Sequence, residues 1–554
     1  MKAIKYLLVF ILFFASPAWG ASPYYVDCND GGNDLGTFAH PFKTLASAKA
    51  QYAAGAAGDD FYFAVSANDA DVTCKDTGGT LSYWLLTKGG VDTENYGTMG
   101  CYDGDEDFDC TGSGYGKAIV DGGATDWSAL GDTAGVFRLD NDYIEIKQLD
   151  IRNAQRHCIN TVGSGDGSDY IYVHHNKFQN CGGAALNGGR TPYGDNWTVE
   201  YNEVTACGLL SRDGGQPASA QENALGGRGA NHLYQYNYVY DSFTEGIVLS
   251  YLASNGIIQY NVVVNTKSVG VYLAGQTNLT AKYNLIICTT NDTYHASNPQ
   301  SNRLWGQGMS INGETAVAMS NFYMYGNTVA GCLEGVRIAN GQSATLDNIN
   351  VYNNTFIDNW VNIYVVNVTG YTNVTIRDNS SVRYQTGDDD GDKLCHEIDD
   401  DNLDVSGWSI GPNHWSAADE DGLNDASDVG TIGDWTHAND TYGDPLLLKT
   451  SGWQAIAAAP TSISIASHLG FSDAASTPVL GAASQSGTCI DPDTDWTTLP
   501  PVSGQIITMT CDEMGALGIE DSPAQGGDTG TYNVIGGTGV VIHGTDKKVT
   551  LSGE

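Results

Sequence analysis

Apolar and polar positions follow one recurring phrase through the middle of this chain: an apolar residue, two variable positions, Asn, one variable position, then a second apolar residue. It occurs at Val173, Asn176 and Phe178; Val199, Asn202 and Val204; Tyr234, Asn237 and Val239; and Ile258, Asn261 and Val263. It continues at Ala281, Asn284 and Ile286; Met324, Asn327 and Val329; Val351, Asn354 and Phe356; and Ile376, Asn379 and Ser381, with Leu149 in the Asn position of an apparent first copy. The step from one Asn to the next is about 25 residues, lengthened between Asn202 and Asn237 and between Asn284 and Asn327. A period of that size marks a solenoid, in which each repeat is one coil.

A second phrase lies between the Asn copies, as in Gly246, Ile247, Val248 and Leu249, or Gly335, Val336, Arg337 and Ile338. Alternation of period two predicts strands with Ile247, Leu249, Val271, Leu273, Val336 and Ile338 inside and Val248, Tyr272 and Arg337 outside. One strand per phrase gives stacked parallel strands, and equivalent residues then form ladders along the axis. The repeated Asn reads as an internal ladder, because a bend with buried peptide groups needs side-chain amide partners. Of His174 and His175, neighbours on a strand, the first reads as exposed and the second as a ladder member, so they do not share a zinc ion.

Composition agrees with short strands and tight turns, with 69 Gly, 31 Tyr and few Pro. The net charge of −40, from 25 basic and 65 acidic residues, excludes nucleic acid and anionic membrane as partners. It fits divalent cations, or the solubility of an extracellular protein. Lys2 and Lys5, the apolar stretch from Tyr6 to Phe14 and the small residues around Ala18 and Ala21 read as a signal peptide, which predicts secretion with no membrane span. Twelve Cys then permit disulfides. Cys101 and Cys110 bracket a short loop and are the first choice of bridge; Cys181 and Cys207 either bridge or stand as buried thiols.

The mature start, from Tyr24 to Leu45, resembles the opening of secreted right-handed β-helix proteins of the pectate-lyase-like superfamily. Gly443 to Leu447, Thr477 to Ala482 and Asp512 to Ala516 are similar to their closing phrases. The resemblance implies an all-β, right-handed parallel β-helix solenoid with loop insertions, an N-terminal cap and a short C-terminal extension. The expected organisation is a signal peptide at 1–20, cap and first coils at 21–135, regular coils at 136–385, an acidic loop region and closing segment at 386–520, and a Gly/Thr-rich tail at 521–554. That superfamily holds lyases, hydrolases, epimerases and adhesins, so it implies no single activity.

The two insertions, Gly208 to Ala230 and Thr289 to Asn312, are where a solenoid builds a cleft. Glu222, Asn223 and Ala224 resemble a stretch of calcium-dependent pectate lyases; Leu225 stands where that pattern has Asp, and Arg228 lies only near its basic position. Cleavage of a uronate by β-elimination needs a neutraliser for the carboxylate and a base. Arg228, Glu222 and Lys267 are therefore the catalytic candidates. Arg190, Glu245, Tyr272, Gln276, Glu314 and Arg337 are candidates for sugar binding. Asp419, Asp421 and Asp425 match the core of a calcium loop, and Asp103, Asp105 and Asp107 form a second one, so structural Ca²⁺ is the expected cofactor. The expected function is an extracellular carbohydrate-active protein, a lyase on an acidic polysaccharide; the alternative is a non-catalytic surface or adhesive β-helix that binds glycans or neighbouring cells.

Overall fold

The computed structural model describes residues 23–383 except 31–32, 56–57, 65–71, 76–83, 103–109, 111–117, 125–134, 162–167, 189–192, 213–221, 289–305, 314–316, 342–344 and 367–369. It also describes residues 394–399, 408–417, 441–442, 487–490, 507–511 and 533–534. The expected signal peptide, all three closing phrases and the Gly-rich tail apart from 533–534 lie outside the described residues.

The chain winds into a right-handed parallel β-helix with three sheets, not the two that one strand per phrase would give. Among the described residues, sheet I has 13 strands, from Tyr24–Val26 to Ser409–Ile410. Among the same residues, sheet II has 13, from Val72–Lys75 to Thr441–Tyr442, and sheet III has 11, from Trp84–Leu86 to Leu394–Asp399. Each regular coil visits I, II and III in turn, as in Ile257–Gln259, Val262–Thr266 and Val269–Ala274. The Asn phrase therefore spans a corner, with one strand on either side of the Asn.

What bends that corner is the residue before each Asn, or before Leu149 in the first copy; before Asn327 it is Gly326, at φ 65°. Gln148, His175, Tyr201, Tyr236, Tyr260, Tyr283, Asn353 and Asp378 all have φ between 51 and 56°. A bulky side chain in this left-handed region is strained. Two ladders offset the strain. Inside, the Asn Nδ2 donates along the axis, with Asn237 to Asn261 at 3.0 Å and Asn261 to Asn284 at 3.0 Å, and also to backbone carbonyls such as that of Tyr234, 3.0 Å from Asn261. Outside, Tyr201, Tyr236, Tyr260 and Tyr283 stack ring on ring at 5.0 to 5.3 Å, continuing the stack that His175 begins against Tyr201. The inner ladder runs one coil further than the eight Asn of the phrase, since Asn379 donates to Asn413 at 3.1 Å.

His175 is thus the exposed corner residue, while His174 is 9% exposed with its Nε2 3.0 Å from Glu145 Oε1. This reverses the expected exposure of the pair, because the left-handed turn at His175 breaks the simple alternation. A second Asn ladder runs outside, through Asn196, Asn231, Asn255, Asn278, Asn321 and Asn348, at the start of the sheet I strands. These are also left-handed residues.

The core is one continuous column from Val26 to Ile376. Ile247, Leu249, Val271, Leu273, Val336 and Ile338 lie in it, with no measurable exposure. Helix α1, Leu45–Ala54, closes the N-terminal end. The Thr44 side chain caps it by accepting from Ser47 N at 3.1 Å, and Tyr52 buries its ring edge-on against Phe61 and Trp84. Disulfides join Cys28 to Cys74, Cys101 to Cys110, Cys158 to Cys181 and Cys288 to Cys332. Cys181 does pair in register with Cys207, but its sulfur is taken by Cys158, and Cys207 is a buried free thiol whose pKa burial pushes up to about 12.

Candidate functional site

Both insertions enter at the same place, the corner between sheets II and III. The first follows Glu203–Cys207 and the short helix α2, Leu209–Arg212, and leads into Asn223–Gly227; the second leads from Leu285–Ile287 into Gln307–Asn312. The corner is a continuous track because its backbone steps are hydrogen bonded from coil to coil. Glu245 N donates to Glu222 O at 3.0 Å, Lys267 N to Thr244 O at 3.1 Å and Gln307 N to Ser268 O at 2.6 Å.

Charged groups recur along that track. At one end the Arg156 guanidinium donates to Glu222 Oε1. The other carboxylate oxygen, Oε2, lies 3.7 Å from His157 Nδ1. That nitrogen already accepts from Ala184 N at 3.0 Å, so His157 is neutral there and the ion pair is Arg156 with Glu222. Gly183 makes room for the carboxylate: a Cβ on it would stand 1.7 Å from Glu222 Oε2. Lys267 follows two coils on from Glu222, and burial holds its pKa below the ordinary lysine value. Further on, Glu334 holds the Arg337 guanidinium at 3.0 and 3.3 Å. Burial raises the Glu334 pKa, and the Arg337 charge only partly opposes it.

Of the expected catalytic residues, the track therefore brings Glu222 and Lys267 onto one corner. Arg228 lies at the other end of the same sheet III strand, beyond Gly227, where its guanidinium sits 4.0 Å over the Tyr251 ring. It does not join them, because a strand of that length separates its two ends by roughly 3.3 Å per residue. Gln276 is at that second corner too, bonded through its backbone to Ala253 O at 2.8 Å.

Glu245 and Arg337 border the track, with Glu245 only 9% exposed. Tyr272 is on the outer face of sheet III as expected, yet it is buried with Val248, Val269 and Ala274 in a small cluster separate from the main core. Its hydroxyl accepts from Asn312 Nδ2 at 3.0 Å. Arg190, Glu314, Asp103, Asp105, Asp107, Asp419, Asp421 and Asp425 lie outside the described residues. Among the described residues, no group of three or more His, Cys, Asp or Glu could hold a metal ion. Nor is any described helix long and apolar enough to cross a membrane.

Arg156, His157 and Glu334 were not singled out by sequence reasoning. Arg156 lies 66 residues from its partner Glu222, in a coil with no insertion and no Asn of the repeated phrase, so only the winding brings the pair together.

Residues 131–303 match the family model for the right handed beta helix region. No curated protein matches the chain in sequence. Solved structures similar to it include pectate lyase Pel9A, at 14% identity and a TM-score of 0.41 over 76% of this chain and 87% of that one. A rhamnogalacturonan lyase is similar at 13% identity and a TM-score of 0.38 over 71% of this chain and 87% of that one. The lacto-N-biosidase of Eubacterium ramulus is similar at 12% identity and a TM-score of 0.44 over 74% of this chain and 71% of that one. The fold class is a right-handed parallel β-helix, as expected.

Proposed function

We propose that this protein is an exported β-helix that binds an acidic polysaccharide along the corner between sheets II and III and cleaves it by β-elimination. The observation that carries this reading is the sharing of one track by Lys267, whose charge is disfavoured by burial, and the Arg156 and Glu222 ion pair, at the corner both insertions enter. A lysine whose charged form is disfavoured by burial gives up its proton more readily than an exposed one, and in its unprotonated form it can act as a general base.

The reaction follows from that pairing. Lys267 Nζ accepts the proton α to the uronate carboxylate, the electron pair forms a carbon–carbon double bond, and the glycosidic C–O bond β to the carboxylate breaks. The leaving oxygen takes a proton from water, Lys267 returns its own to the solvent, and the new chain end is unsaturated. Arg156 supplies positive charge for a carboxylate on the polymer, which matters because a protein of net charge −40 otherwise repels an anionic chain. Glu222 fixes the direction of that guanidinium.

Export is supported by the four disulfides among the described residues, which persist in oxidising compartments. Calcium is proposed as a structural ion of the acidic loops, and no step of the reaction passes through it.

The test is incubation of the purified protein with a panel of uronate polysaccharides while following ultraviolet absorbance of the unsaturated product. Absorbance that appears with the native protein and is lost in Lys267→Ala is expected. Absence of both absorbance and new reducing ends on every polymer would remove the lyase. Retention on an immobilised polymer without cleavage would favour the second reading, a non-catalytic glycan binder, which the engagement of Arg156 by Glu222 also supports.

A further inference from the structure

A small buried residue stands five places after the corner Asn in several coils: Cys181, Cys207, Ser242, Thr266 and Cys332. A side chain at this position has two directions in which to find a partner. Across the corner between sheets II and III it meets sheet III of the preceding coil. Along the axis it meets its own equivalent in the next coil.

Cys181 takes the first direction and is bridged to Cys158, on the sheet III strand His157–Thr161. Cys207 has no such partner. Its coil offers Ala185 in the place of Cys158, each standing one residue before the paired Ile159 and Leu186. Along the axis, however, Cys207 pairs in register with Cys181, and all three cysteines lie in the core with no measurable exposure. Parallel neighbours are about 4.8 Å apart, inside the range of about 4.4–6.8 Å that a disulfide spans between Cα atoms. The same corner already carries an axial bridge further on, where Cys288 and Cys332 join successive coils with their Cα atoms 4.8 Å apart.

We infer that Cys158, Cys181 and Cys207 form a thiol–disulfide exchange centre, in which Cys207 displaces Cys158 from Cys181 and turns a bridge across the corner into one along the axis. The Cys207 thiol gives its proton to solvent, and the thiolate attacks Cys181 Sγ. The bond from Cys181 to Cys158 breaks, and Cys158 leaves with the electron pair and takes up a proton. One sulfur–sulfur bond forms and one breaks, so no oxidant or reductant is consumed. The two bridges close loops of similar length, with a separation of 23 for the first and of 26 from 181 to 207 for the second, so chain entropy hardly distinguishes them. Burial keeps the Cys207 thiol protonated, with its pKa pushed up to about 12, and the exchange is therefore slow at neutral pH and faster as pH rises.

The centre lies against the candidate site. Cys158 directly follows Arg156 and His157, and the Glu222 charge reaches Cys207, where it adds to the effect of burial. Gly208, next after Cys207, donates through its N to Gly183 O at 2.8 Å, and Gly183 is the residue packed against the Glu222 carboxylate. One bridge thus tethers the segment that carries Arg156. The other releases that segment and tethers the start of the first insertion instead. Control of cleavage by this exchange rests on the proposed function; the exchange itself does not.

The test uses the full chain without reductant, held at a series of pH values from neutral to mildly alkaline. Samples are quenched in acid, alkylated with a maleimide in denaturant and mapped by peptide mass. The label is expected to pass from Cys207 to Cys158 with their combined free thiol unchanged, at a rate that rises about tenfold per pH unit while the thiol is mostly protonated. Cys207→Ala should keep Cys158 unlabelled throughout, and Cys158→Ala should carry a bridge from Cys181 to Cys207, with circular dichroism showing that each variant is folded. Label that stays on Cys207 at every pH would overturn the inference, and this measurement needs no variant. So would a folded Cys158→Ala chain in which Cys181 and Cys207 both alkylate. For cleavage, kcat/KM is expected to be lower in Cys158→Ala than in Cys207→Ala by on the order of tenfold or more, since Arg156 loses its tether. Equal rates would remove the control of cleavage, whereas a native chain that cleaves nothing would count against the proposed function and leave the label transfer to decide the exchange.

Discussion

Asn237 and Asn261 are joined twice: Asn261 Oδ1 accepts from both the side-chain Nδ2 of Asn237 at 3.0 Å and its backbone N at 2.9 Å. Asn261 in turn donates to Tyr234 O at 3.0 Å, Gln259 O at 2.9 Å and Asn284 Oδ1 at 3.0 Å, all beneath a surface that leaves neither Asn exposed. Asn261→Ala would strip partners from buried donors and acceptors in two neighbouring coils, each loss costing about 1–3 kcal/mol. We expect Asn261→Ala to destabilise by roughly 3–5 kcal/mol in urea unfolding. Asn255→Ala, in the outer ladder, where bonds of 3.3 and 2.8 Å are open to water, should cost less than about 1 kcal/mol. Equal costs would mean that the inner ladder does not hold the coil.

That contrast also explains what could be read from the sequence. The inner Asn were legible because they sit at fixed offsets between two apolar residues, and Asn413 carries the same signature, with Ile410 before it and Trp415 after it. The corner in the middle of the phrase was not legible. Left-handed backbone is expected at Gly or Asn, and here it is held by Tyr201, Tyr236, Tyr260 and Tyr283, whose stacking across coils is a property of the winding. The same holds for the site. An insertion readable in the sequence marks Glu222, whereas its contact with Arg156 comes from another coil, and Arg228, near Glu222 in sequence, stands at the opposite corner of the winding.

His232 gives the stability a defined acid limb. It is buried beside Trp197, whose backbone N donates to its Nδ1 at 3.3 Å, and burial drives its pKa from 6.5 down to about 3. The unfolded chain binds this proton near pH 6.5, and the folded one resists it until about pH 3. The contribution is therefore present above pH 6.5 and lost as pH falls through this window, at up to about 1.4 kcal/mol per pH unit. His232→Asn, which keeps an acceptor near the Nδ1 position, should flatten the decline of melting temperature between pH 6.5 and pH 4. An unchanged slope would assign the acid limb to other groups.

Lys267 sets the expected pH profile of the reaction. A general base must be unprotonated, so kcat/KM should rise with pH and level off once Lys267 is neutral. Because burial lowers its pKa, the midpoint should fall below 10.5. Lys267→Arg, permanently charged, should remove activity by at least about 100-fold while leaving polymer retention within a few-fold, since the positive charge stays. A profile that survives the substitution with the same midpoint would place the base elsewhere.

The acidic loops provide a test that needs no substrate. Asp419, Asp421 and Asp425 have the alternating carboxylates with an intervening Gly422 that wrap a hard cation, and Asp103, Asp105 and Asp107 repeat the alternation between Cys101 and Cys110. An ion that binds only the folded chain stabilises it in proportion to the logarithm of its concentration, by about 2.7 kcal/mol at a hundredfold excess over Kd. Removing calcium with a chelator should then lower the melting temperature by several degrees, and calcium should restore it more effectively than magnesium, which tolerates an irregular oxygen cage poorly. Asp421→Asn and Asp105→Asn separate the two loops: each should abolish the part of the calcium response that its own loop supplies, and the double substitution should abolish all of it. A melting temperature indifferent to chelator in the native chain would make both segments solvated acidic loops, with the charge serving solubility alone.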